Sequence, residues 1–118
     1  MDFLKDILKG FEKPDILDIA SGTGAFLYML GEFAPEFGRA IGMDSHPKII
    51  EHARKMAQDK ESKIEFETGD AAALEYTDNS FDIVTVANSL HHFPEPDVVL
   101  KEMRRVLKPG GLLLVMEM

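Results

Sequence analysis

Acidic residues close or interrupt three apolar stretches of this chain, and a small-residue loop follows the first of them. Asp18 lies within Ile16-Leu17-Asp18-Ile19, and Ala20-Ser21-Gly22-Thr23-Gly24 comes directly after. Ala20, Ser21, Gly22 and Gly24 carry little or no side chain, so backbone there can approach a ligand closely. Amides at the start of a following helix would face whatever sits above the strand end. Such a loop suits a nucleotide or cofactor. A buried carboxylate at Asp18 is costly unless paired, with the loop amides or a ligand ammonium as partners. Asp44 comes twenty residues after Gly24, a spacing at which a carboxylate accepts hydrogen bonds from both ribose hydroxyls and repels a 2′-phosphate. Charge-assisted bonds of that kind contribute about 1.5–3 kcal/mol each. Asp44 has a competing use as an acid stabilising the start of the next helix. Asp70 could take an adenine amino group while Ala71 offers its amide, or it could cap its own turn.

The loop fits two frames unequally. A dinucleotide fingerprint starting at Gly22 meets Leu27 where its third glycine belongs, and starting at Ala20 it lacks both outer glycines. The frame acidic-x-Gly-x-Gly-x-Gly fits Asp18 to Gly24 except for Ala20 in place of the first glycine. No Gly-Lys-Ser/Thr is present, which excludes a P-loop. An adenosyl-type ligand is favoured over a nicotinamide dinucleotide.

These groups need strands to carry them, and the chain supplies a repeating set. Spacing predicts a leading helix within residues 1–13, covering about 2 to 11, with Phe3, Leu4, Ile7, Leu8 and Phe11 on one face. The first strand precedes the loop, and a helix through Phe26, Leu27, Leu30 and Phe33 follows it. A second strand runs from Arg39 to Asp44, and Pro47 opens a helix striped by Ile49, Ile50, Ala53, Met56 and Ala57. Lys63–Glu67 alternates charged and apolar residues, as a strand near a sheet edge does. Phe81–Ala87 is almost continuously apolar and belongs at the centre. A helix marked by Val98, Val99, Leu100, Met103, Val106 and Leu107 is stopped by Pro109-Gly110-Gly111, and Leu112–Met116 is the fifth strand. Strands alternating with helices predict a parallel sheet covered on both faces, with ligands bound beyond the carboxyl ends of the strands.

Composition narrows the class. The 118 residues make one domain spanning 1–118, with 45% hydrophobic residues and a formal net charge of −8. That balance argues against a nucleic-acid partner, which needs a basic surface. There is no cysteine, so thiolate zinc sites and thiol nucleophiles are excluded. His46, His52, His91 and His92 lack a metal-ligand pattern, and no metal is expected. The N-terminus does not read as a signal peptide, and no apolar run reaches membrane-spanning length. A cytoplasmic protein is the expectation.

Six ordered stretches carry a resemblance. Asp18-Ile-Ala-Ser-Gly-Thr-Gly24, Gly42-Met-Asp44, Gly69-Asp70-Ala-Ala-Ala-Leu74, Ser80-Phe-Asp-Ile-Val84, Leu90-His-His-Phe93 and Arg105-Val-Leu-Lys-Pro-Gly-Gly111 stand as in class I S-adenosylmethionine-dependent methyltransferases. The chain most resembles the ubiquinone/menaquinone-biosynthesis branch, over residues 14 to 117. The resemblance implies a doubly wound Rossmann-like α/β sheet, mostly parallel, of about five strands in the order 3-2-1-4-5. It implies S-adenosylmethionine as cofactor, S-adenosylhomocysteine as product, and a small-molecule methyl acceptor. By the same resemblance Ala20 to Gly24 would pass under the methionine part, with Asp18 helping to hold its amino group. Asp44 would take the ribose hydroxyls, Met43 or Ser45 would flank the adenine, Asp70 and Ala71 would meet its edge, and Asn88 would face the transferring methyl. The family's later helix and antiparallel strand pair are expected to be missing here.

His91 and His92 are the candidates for removing a proton from an acceptor, or else they fix the turn after the fourth strand. A module that binds S-adenosylmethionine or S-adenosylhomocysteine without catalysis, or a truncated cofactor domain of a larger enzyme, is the alternative. The outer edge of the fifth strand is expected to seek a partner, with self-association as one outcome.

Overall fold

The computed structural model describes residues 2–33, 36–87 and 90–116. Its centre is set by two strands whose side chains are apolar towards both faces. These are β1 (Ile16–Ile19) and β4 (Phe81–Ala87), and Ile16, Leu17, Ile19, Ile83, Val84 and Val86 are at most 1% exposed. Flanking them are β2 (Ala40–Asp44), β3 (Glu65–Thr68) and β5 (Leu107–Met116). The sheet order is β3-β2-β1-β4-β5, and all four pairings are parallel. The expected 3-2-1-4-5 sheet is therefore present, with every strand tip pointing the same way.

Alternation along the strands sorts the two cores. Leu17, Ile19, Ile41, Met43, Val84 and Val86 face α4 (Pro96–Val106), which returns Val99, Met103 and Val106. Ile16 and Ile83 face the other way, against Leu8 of α1 (Asp2–Leu8) and Leu27 and Leu30 of α2 (Ala25–Phe33). On that same face α3 (Pro47–Asp59) lays Ile50, Ala53 and Ala57 on Phe66 of β3. A 3-10 turn at Leu90–His92 links β4 to α4.

Several boundaries differ from the sequence reading, β2 beginning at Ala40 rather than Arg39 and β3 ending at Thr68 rather than Glu67 among them. The leading helix ends at Leu8, because the chain tightens into turns where Gly10 and Phe11 donate to the carbonyls of Ile7 and Leu8. The third strand starts at Glu65, although Ile64 still packs on both cores of its face. The last helix stops at Val106, and Leu107 already pairs with Phe81. Lys108 to Gly111 then bulge opposite Asp82 before Leu112 pairs with Ile83. Lys108, Pro109, Gly110 and Gly111 are thus an irregularity inside β5 rather than a turn before it.

Candidate functional site

Parallel packing brings the carboxyl ends of β1 and β2 side by side, with Asp18 in register with Gly42 on one side and Thr85 on the other. Asp18 is 2% exposed, and its Oδ1 accepts a 2.7 Å hydrogen bond from Thr85 Oγ1. The partner is a hydroxyl from β4, where the loop amides or a ligand had been expected. One neutral donor offsets little of the desolvation. Burial pushes this carboxyl up to about 7, with the Thr85 bond pulling down and the neighbouring Asp44 charge pushing up.

Asp44 is held differently. It is 8% exposed, its Oδ2 accepts from the Gly22 amide at 3.0 Å, and its Oδ1 accepts from the His46 amide at 3.2 Å. His46 Nδ1 lies 2.9 Å from the same Oδ1. Burial would raise its proton affinity, but the His46 ring and the two amides outweigh that, and the carboxyl stays below its ordinary value. Asp44 therefore ties the glycine loop to the second strand tip. Its carbonyl also accepts from the Gly69 amide at 3.0 Å, which draws the Asp70 turn alongside.

The loop residues divide by what lies beside them. Ala20 holds φ +56°, in the left-handed region that costs an L residue about 1–2 kcal/mol. Nothing lies within 4 Å of where a Cβ on Gly22 would project, so this stretch of backbone is open for a ligand to approach. Gly24 is used inward: an added Cβ would fall 2.6 Å from Phe66 Cζ and 3.2 Å from Tyr28 Cε2. Gly42 serves the same ring, since a Cβ there would fall 2.9 Å from Phe66 Cδ1 and 2.7 Å from Ser21 Oγ. Ser21 gives its amide to the Met43 carbonyl, and its buried Oγ has no hydrogen-bond partner among the described residues. Its side chain supports the loop from beneath.

The remaining expected residues fall around these tips. Met43 is 2% exposed in the α4-side core, while Ser45 is exposed beyond the strand end. Asp70 is exposed and its Oδ1 accepts from the Ala72 amide at 2.9 Å, which is the turn-capping use; Ala71 is buried behind it. A cavity of about 440 Å³ beside this turn is lined by Met43, Glu67, Gly69, Asp70, Leu74 and Tyr76, among others. The turn is fastened to α4 from below. Arg105 donates to the carbonyls of Leu74 and Tyr76 and to Asp78, and Glu102 accepts from the Leu74 amide. Glu102 and Arg105 also pair at 2.7 Å, which holds the Glu102 carboxyl below its ordinary value. His91 and His92 are exposed on the 3-10 turn with ring centroids 4.0 Å apart. Asn88 lies outside the described residues. Among the described residues no cluster of histidine and carboxylate side chains could hold a metal ion.

Four residues of this arrangement were not singled out for it in the sequence. Thr85 had a signal, a polar side chain inside an apolar central strand. His46 had adjacency to Asp44 alone. Phe66 and Arg105 had none, because their roles depend on packing across the sheet.

The arrangement can hold a polar ligand rich in hydroxyl and cationic groups against bare backbone, and comparison with known proteins agrees. The sequence model of the family described as "Methyltransferase domain" matches residues 17–115. The demethylmenaquinone methyltransferase of Deinococcus radiodurans is 44% identical over 102 residues, covering 86% of this chain and 42% of its own. A ubiquinone/menaquinone biosynthesis C-methyltransferase of Hahella chejuensis is 38% identical over 104 residues, again covering 86% and 42%. The chain thus spans less than half the length of these curated relatives. Among solved structures, a Pyrococcus horikoshii protein superposes with a TM-score of 0.79 at 36% identity, over 96% of this chain and 54% of its own. A putative methyltransferase from Bacillus halodurans gives 0.80 at 32%, over 96% and 48%.

Proposed function

This chain belongs to the methyltransferase-domain family, and we propose that it binds S-adenosylmethionine across the β1 and β2 tips and passes the methyl group to a small-molecule acceptor. The observation carrying this reading is the pair of buried carboxylates at neighbouring strand tips, one of them bonded to the open Gly22 backbone. The residues fit the cofactor. Asp44 keeps its charge for ribose hydroxyls, Asp18 has no cationic partner among the described residues and a methionine ammonium would supply one, and Gly22 leaves the loop open. Asp70 and Ala71 would meet the adenine edge, with Ser45 on its exposed flank and Ser21, Ala20 and Gly24 shaping the loop. Asn88 would face the methionine part.

The bound group supplies a methyl on a sulfonium, already activated for displacement. The protein's part is alignment, which can lower a barrier by about 7–11 kcal/mol without an acid–base triad. His91 and His92, just beyond β4, are positioned along the chain to accept a proton from an acceptor hydroxyl or carbon acid. The names of its relatives make a quinone-type acceptor such as demethylmenaquinone the first to test. A cytoplasmic setting belongs to the same reading; no helix among the described residues is long and apolar enough to cross a membrane. Self-association through β5 does too, since Val115 is 37% exposed on the strand at the sheet margin.

Calorimetric titration with S-adenosylhomocysteine should show one site, and NAD should show none. Binding of NAD in its place would sink the proposal. Incubation with labelled S-adenosylmethionine and demethylmenaquinone should label the quinone. Tight cofactor binding with no labelled product from any quinone would favour a binding module instead. Light scattering that finds monomer alone at all concentrations would remove self-association.

A further inference from the structure

Counting acceptor positions on Asp44 exposes a conflict with the ligand it is read to hold. A carboxylate offers about four lone-pair sites. Three are taken: Gly22 N–H on Oδ2, and the amide and ring Nδ1 of His46 on Oδ1. A ribose brings two hydroxyl donors and finds one open position. The two amide contacts are fixed by the loop and by the start of α3, so the imidazole is the group that can leave. It is also free to move: the His46 side chain is 70% exposed, while that of Asp44 is 11% exposed.

We propose that the His46 ring is a placeholder for one ribose hydroxyl, occupying Asp44 Oδ1 until an adenosyl ligand rotates it outward. This rests on the reading of Asp44 as the ribose acceptor. His46 is accordingly a specificity-determining residue of the nucleoside site, setting how much a ligand must gain from both hydroxyls to displace it. Among the described residues the groups around the ring are the Asp44 carboxylate and Ser45 Oγ at 3.4 Å. Asp18 on the neighbouring strand is close enough to feel the Asp44 charge, and Gly69 brings Asp70 from the β3 side. Lys48 and Glu51 lie on its own helix.

The test uses adenosine and S-adenosylhomocysteine as calorimetric probes of wild type, His46→Ala and His46→Gln. Adenosine carries no ammonium, so it reads the Asp44 site without the Asp18 contribution. His46→Ala should bind adenosine about fivefold more tightly than wild type, because no ring has to be displaced. His46→Gln keeps a donor at this position and should fall between the two; it serves if His46→Ala fails to fold. Ring resonances of His46 should shift on adding adenosine to wild type, as the ring leaves Asp44. Equal affinities of wild type and both variants, with both probes binding, overturn the placeholder and leave the ribose reading intact. Failure of both probes to bind wild type removes the ribose reading and the placeholder with it.

Discussion

The tips of β1 and β2 are neighbours in one sheet and each carries a buried carboxylate, yet they are built on opposite principles. At the β1 tip, Asp18 is desolvated with one hydroxyl donor, and Ala20 beside it is held at φ +56°. At the β2 tip, Asp44 receives two amides and an imidazole, and the chain runs directly into α3. Burial is similar and the proton affinities move in opposite directions. Burial raises the proton affinity of both carboxyls; the three donors on Asp44 outweigh it, and the single Thr85 bond on Asp18 does not. At one tip the protein supplies the donors, and at the other it leaves a desolvation that a cationic ligand would offset.

The sharpest break of this contrast is Asp18→Asn. Because the folded protein holds the Asp18 proton up to about 7, that carboxyl stabilises the fold fully below its unfolded value, and the contribution is lost as pH rises through 7. The asparagine keeps the acceptor for Thr85 and cannot ionise. Urea unfolding should show the variant gaining on wild type between pH 5 and pH 8, by up to about 2.5 kcal/mol. Equal pH profiles would show that Asp18 does not titrate in this range.

Asp44→Asn should act in the other sense. Its lowered proton affinity gives stability that is present above the ordinary carboxylate value and lost as pH falls through the folded one. Wild type should therefore exceed the variant near pH 7 and converge with it in acid. The same change should weaken S-adenosylhomocysteine binding by about 1.5–3 kcal/mol in titration calorimetry, one charge-assisted bond. The smallest effect belongs to Ala20→Gly. Relief of the left-handed strain, less the extra chain entropy of glycine, should stabilise the fold by about 0.5–1 kcal/mol in urea. No gain there would mean that the β1 tip is not strained at this residue.

The same two tips show what could be read in advance. Asp18 and Asp44 were visible because a carboxylate inside an apolar run is anomalous; the parallel sheet followed from alternating elements and its order from the family resemblance. Which of the two would have its proton affinity raised was not visible, since that depends on how completely the neighbouring strands bury Asp18 and on Thr85, far away in sequence but adjacent in register, supplying a single neutral donor. The β5 boundary was misread because Pro109, Gly110 and Gly111 punctuate helices far more often than they bulge within a strand. Gly24 was read as room for a ligand, whereas its neighbour across the sheet is a phenyl ring. Each of these depends on a partner distant in the chain.

That ring has a consequence for how this loop can vary among homologues. Phe66 comes from an edge strand, the most replaceable place in a sheet, but it fills the volume that side chains at 24 and 42 would need. Positions 24, 42 and 66 therefore share a single allotment of space. A lineage that restores a side chain at either glycine must shrink the residue at 66, and one that loses the ring leaves the loop resting on a void.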